Sequence, residues 1–135
     1  MTSVKRLAAA ITVVTAGIAG AVVAQAGPAS ADAYRCFSNV VCLYYNTNYG
    51  GAMWASAGEV PNYNLSWIVF DNSGAGAGQR VNDNAASLRN GAWYLDVEVY
   101  EHSWWRGRSV KVQPGLGAPT LGEVTNRASS HAFIG

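Results

Sequence analysis

A motif that occurs twice at matched spacing constrains this chain more than any other feature. Tyr44 is followed by Tyr49 and Gly51, and Tyr100 by Trp105 and Gly107, at identical offsets. Downstream, Asn82-Asp83-Asn84-Ala85-Ala86-Ser87 and Thr125-Asn126-Arg127-Ala128-Ser129-Ser130 follow in the same order. Such self-similarity marks a domain assembled from two matched halves. Each part has a physical reason. Two aromatics that bracket a tight turn can stack across a folded hairpin, each ring burying roughly 150–250 Å². The glycine supplies a backbone conformation closed to residues with a Cβ. The late serine ties the hairpin back through its hydroxyl, since buried polar atoms need partners. Gly51 and Ser87 lie 36 positions apart, Gly107 and Ser130 only 23. The first copy therefore carries about 13 extra residues, expected within 58–79.

Between these motifs the chain reads as strand and turn. Apolar pieces at 40–45, 53–55, 67–70, 93–100 and 109–112 are separated by clusters such as Asp71-Asn72-Ser73-Gly74 and Gln113-Pro114-Gly115. Leu95-Asp96-Val97-Glu98-Val99 alternates strictly, the period of a half-buried strand. Ala85-Ala86-Ser87-Leu88 adds one helical turn at most. The charged share is 13%, about half the usual ~25%. An all-β sandwich of two Greek-key motifs follows.

The first 31 residues have a different character. Lys5 and Arg6 open a stretch that is apolar or small through Ala24, carries no charge from Leu7 to Ala31, and ends Ala29-Ser30-Ala31. This reads as a secretory signal peptide at 1–31, leaving a secreted domain at 32–135 with no membrane attachment after cleavage. The whole chain has 9 basic and 8 acidic residues. That balance lacks the basic excess of a nucleic-acid binder. Cys36 and Cys42 are the only cysteines, and in an exported chain they are expected to pair. Their small ring stabilises by about 2 kcal/mol.

The signatures Tyr44/Tyr49/Gly51 and Tyr100/Trp105/Gly107 resemble the two Greek keys of the βγ-crystallin family. The export signal, the Cys36/Cys42 pair leading into Leu43-Tyr44, and Asn84-Ala85-Ala86-Ser87 before Arg89-Asn90 are most similar to one group on that fold. That group is the secreted actinobacterial peptidase inhibitors of the metalloproteinase-inhibitor type. The resemblance implies a monomeric binding protein whose partner is an extracellular peptidase, with no cofactor required.

It also implies paired calcium motifs of the form Asn/Asp, Asn/Asp, any, any, Ser/Thr, Ser. The first copy keeps Asn82, Asp83 and Ser87 but has Ala86 at the fifth position; the second keeps Asn126, Ser129 and Ser130 but opens with Thr125. With Asp83 the sole carboxylate, calcium binding is expected to be weak. Catalysis has little support, because His102 and His131 are the only candidate bases for a nucleophile. The extra residues of the first copy are the expected contact loop, since binding residues concentrate on loops held by a scaffold. Gly58, Asn62, Asn64, Asp71, Asn72, Gly74, Gly76 and Gly78 are its candidates. Trp67-Ile68-Val69-Phe70 reads as a peptidase-contacting stripe or, more strongly, as a buried strand, and the glycine-rich run at 74–78 reads as flexible. The competing reading is a βγ-crystallin-type structural or weak calcium-binding module without a peptidase target.

Overall fold

The computed structural model describes residues 36–71 and 73–135. The leader expected at 1–31, and Asn72, lie outside them. Among the described residues seven strands follow in order: β1 (Val41–Tyr44), β2 (Met53–Ser56), β3 (Ser87–Asn90), β4 (Asp96–His102), β5 (Arg106–Val112), β6 (Gly117–Ala118) and β7 (Ser130–Ile134). One 3-10 turn spans Gly122–Val124. The segment 85–88, which was expected to offer a helical turn, instead enters β3.

All pairing is antiparallel, in two sheets ordered β2-β1-β3-β6 and β5-β4-β7. Each sheet borrows from the other half of the chain. β6, from the second copy, pairs with β3 of the first. In return, Val60 of the first copy bridges His131 on the free edge of β7. Two Greek keys that exchange their outer segments cannot separate without opening both sheets.

The alternating stretch behaves as read: Val97 and Val99 are fully buried, while Asp96 and Glu98 face partly outward. They meet Val41 and Leu43 of β1, Leu88 of β3, and Leu121 and Val124 in one core. The opposite face of β1 buries Cys42 and Tyr44 against Met53, and the Cys36–Cys42 disulfide closes over this smaller cluster.

The apolar run 67–70 is not a strand; its only ladder contact is the single bridge Val69↔Arg80. Tyr63, Ile68 and Phe70 nevertheless enter the main core. The extra residues of the first copy are therefore built into the sandwich and not appended to it. The apolar piece at 93–100 is strand only from Asp96 onward. β4 starts at Asp96, and Trp93 and Tyr94 stand exposed in the connection between the halves.

Candidate functional site

The insert, 57–80, is held at both ends and in the middle. His131, buried on β7, takes three grips on its near flank. Val60 and His131 exchange backbone hydrogen bonds at 3.0 Å each way. The His131 Nε2–H donates to the Gly58 carbonyl at 2.8 Å. A carbonyl can only accept, so Nδ1 carries the lone pair and accepts from the Tyr63 hydroxyl at 2.6 Å. Burial holds the ring neutral, drawing its pKa down to about 4 against the smaller opposing pull of the Gly58 carbonyl. Trp54 and Phe133 pack edge-on around the same imidazole.

The far flank closes on itself. Phe70 N–H donates to the Gln79 carbonyl, Gly78 N–H to Phe70, and Val81 N–H to Ile68. The glycine run is not slack, contrary to expectation. Gly74, Gly76 and Gly78 have φ of 120°, 86° and 84°, values that only glycine adopts readily. The Ala75 carbonyl accepts from Ala52 N–H, and a Cβ on Gly76 would overlap the Tyr45 ring. Glycine is used here to seat backbone against an aromatic face.

Between these flanks the chain turns at Leu65–Ile68 and projects Trp67, which is 72% exposed while Ile68 and Phe70 are buried. The sequence carries no signal for it, because all four residues of 67–70 are apolar. Of the other candidates, Asn62 caps the Asn64 backbone N–H at 2.9 Å, and Asn64 holds Arg80 at 2.6 Å. Gly58 offers its carbonyl to His131, and the Asp71 N–H donates to Met53. Most of these candidates brace the loop; the protruding side chain is Trp67.

The signature residues obey a pseudo-symmetry that the matched motifs required. Ser87 Oγ accepts the Tyr49 N–H and donates to the Asn46 carbonyl; Ser130 Oγ accepts the Trp105 N–H and donates to the His102 carbonyl. Tyr44 and Tyr49 meet edge to face at 5.7 Å. Gly51 and Gly107 take φ of 76° and 86°.

Known structures share this fold. A structure representing the eye-lens βγ-crystallin domain fold matches with a TM-score of 0.58 at 17% identity, over 73% of this chain and 87% of its own. A βγ-crystallin from Ciona intestinalis matches with 0.53 at 18%, over 70% and 98%. A βγ-crystallin domain from Clostridium beijerinckii gives 0.50 at 25%, over 70% and 97%. These likenesses show the fold. No curated protein matches the chain significantly. The sequence model of peptidase inhibitor family I36 matches residues 29–112, more than half the chain. The chain belongs to family I36. It is thus a member of a family of peptidase inhibitors, not of enzymes, carried on a βγ-crystallin fold.

Within this I36 domain the calcium-type residues divide into two roles. Ser87 and Ser130 have both hydroxyl functions committed to their hairpins, as above. The rest assemble across the copies, not within them: Asp83 N–H donates to the Ala128 carbonyl, and Asn126 N–H to Ala85. One cradle holds Asn82, Asp83 and Ser129, with Ser129 Oγ 3.5 Å from Asp83 Oδ1 and Asn82 Oδ1 buried without a hydrogen-bond partner. The other is a cavity of about 400 Å³ lined by Asn46, Asn84, Ala86, Thr125 and Asn126, with the Ala86 methyl where the fifth-position hydroxyl would stand. The first donor set suits a hard cation, though with a single carboxylate; the second does not. Glu101, at the repeat position of Tyr45, adds no free charge. Arg108 and Arg127 reach its carboxylate at 2.9 and 3.4 Å, and the Arg108 hydrogen bond leads in drawing its pKa down to about 2.

Proposed function

We propose that this chain inhibits an extracellular peptidase by non-covalent occlusion of its cleft, with the insert as the contacting surface and metallopeptidases the first class to test. The observation that carries the proposal is Trp67, an exposed aromatic on an insert anchored to the core on both sides. A loop ordered before binding loses little conformational freedom when it docks, which favours affinity. Tryptophan is among the residues most enriched at interface hot spots. Membership of family I36 supports a peptidase as the partner. The leader-like sequence at 1–31 and the Cys36–Cys42 disulfide support export to an oxidising compartment.

Inhibition constants against a panel of secreted peptidases test this. Trp67→Ala should weaken inhibition by about thirtyfold or more, the size of a hot-spot truncation. Unfolding should stay nearly unchanged, because truncations of exposed side chains usually fall within about 0.5 kcal/mol.

A second reading is supported by the orphaned Asn82 Oδ1. Asn82, Asp83 and Ser129 would bind Ca²⁺ weakly, and the ion would lock the two copies together across their shared cradle. Millimolar Ca²⁺ should then raise the melting temperature by a few degrees, and Asp83→Asn should abolish the rise. Micromolar affinity at two sites would contradict it.

A further inference from the structure

Copy-to-copy comparison isolates one residue that the fold does not require. At the tip of each signature hairpin two consecutive residues take left-handed backbone: Asn48 and Tyr49 in the first copy, Trp104 and Trp105 in the second, with φ between 56° and 62°. The second of each pair is the signature aromatic, tied by its N–H to Ser87 or Ser130. The first needs only to tolerate φ near +60°. Asn48 does so at little cost, since asparagine is the side-chain-bearing residue most at ease there. Trp104 meets the same demand with a bulky aromatic, a strained choice for that region. Its ring is then left 57% exposed. Among the described residues, the exposed aromatics Phe37, Trp67, Trp93 and Tyr94 lie outside left-handed backbone, and Trp105, which shares both features at 37% exposure, is accounted for by its bonds to Ser130 and His131. Trp104 combines backbone strain with apolar exposure, and a persistent outlier of this kind points to function.

Its surroundings join it to the insert. In both copies a proline carbonyl clamps the tip: Asn48 N–H donates to Pro119, Trp104 N–H to Pro61 at 2.6 Å. Pro61 belongs to the insert, next to Val60 and Asn62. The second-copy tip is therefore joined to the flank of the insert, whereas the first-copy tip is joined to the segment after β6. The Trp104 ring is steadied edge-on by Trp105 at 6.0 Å, and Trp105 is held in turn by its Nε1–H to the His131 carbonyl. His131 also grips Gly58 and Tyr63 of the insert.

We infer that Trp104 is a second anchor for the peptidase, seated in an apolar depression beside the cleft that the insert enters. The contact surface then spans both repeats. This inference rests on the inhibitor reading above.

The test is Trp104→Asn, which installs the residue that the first copy uses. Inhibition constants are measured against a peptidase that the wild type inhibits, with Trp67→Ala alongside, together with thermal unfolding and sedimentation of each variant. The expected result is a loss of inhibition of about tenfold or more, with a melting temperature equal to or above that of the wild type. Trp104→Phe should recover part of the inhibition. Unchanged inhibition by Trp104→Asn, with Trp67→Ala impaired, overturns the second anchor and leaves the inhibitor reading standing. A lowered melting temperature makes Trp104 a packing residue and overturns the inference. Self-association of the wild type that Trp104→Asn removes would assign the ring to a second copy of the chain and also overturn it. A wild type that inhibits none of the panel overturns the inhibitor reading and this inference together.

Discussion

Gly107 and His131 show how much one position decides in this chain. Gly107 has a φ of 86°, and a Cβ there would sit 2.6 Å from His102 Cδ2 and 3.2 Å from Glu101 Cβ. Strain and overlap act together, so Gly107→Val should destabilise by about 1–3 kcal/mol in denaturant unfolding. An unchanged curve would mean that the hairpin is not folded as described. This glycine could be read from spacing alone, because nothing but glycine serves two residues after the second aromatic. His131 could not. Its sequence neighbours, Ser130 and Ala132, say nothing of Tyr63 or Gly58, which lie 68 and 73 positions away. Its pKa is lowered in the folded state from about 6.5 to about 4. The unfolded chain therefore takes up a proton across that window while the folded chain does not. Stability is fully present above about pH 6.5 and falls as the pH drops toward 4, by up to roughly 3 kcal/mol. His131→Gln, which can still donate and accept, should flatten that part of the pH profile. A wild-type profile already flat between pH 4 and 6.5 would contradict the burial of a neutral imidazole.

Among the elements, the strands that obey a local rule were readable and those defined by a distant partner were not. β1, β2 and the alternating part of β4 lie close to where apolar pattern placed them. β6 has only two residues, Gly117 and Ala118, and exists because β3 presents an open edge to it. No two-residue stretch carries a strand signal of its own. The insert misled in a different way. Its glycines suggested slack, yet Gly76 is required because Tyr45 occupies the space where a Cβ would be. Composition reports which conformations are open to a segment; it does not report which surface the segment lies against. Shortening the run 74–78 would remove the Ala75 carbonyl from Ala52 N–H and uncover Tyr45. The better way to separate scaffold from contact surface is therefore a point substitution at Trp67.

For the whole molecule, the repeat announced two halves but not their exchange. β6 crossing to the first sheet and Val60 to the second bind the copies reciprocally, as do the paired contacts of Asp83 with Ala128 and Asn126 with Ala85. This exchange makes the insert a rigid part of the second sheet's edge, and places it beside the Trp104 hairpin. On the proposed function, the insert docks on a peptidase as a preformed surface. Hydrogen exchange of the chain alone and in a one-to-one complex with an inhibited peptidase tests it most directly. Backbone amides of the insert that are bonded in the free chain, such as those of Val60, Tyr63, Phe70 and Gly78, should already be slow to exchange. Added protection on binding should centre on 64–67. Rapid exchange throughout 57–80 in the free chain, or protection confined to β2, β3 and β6, would contradict it.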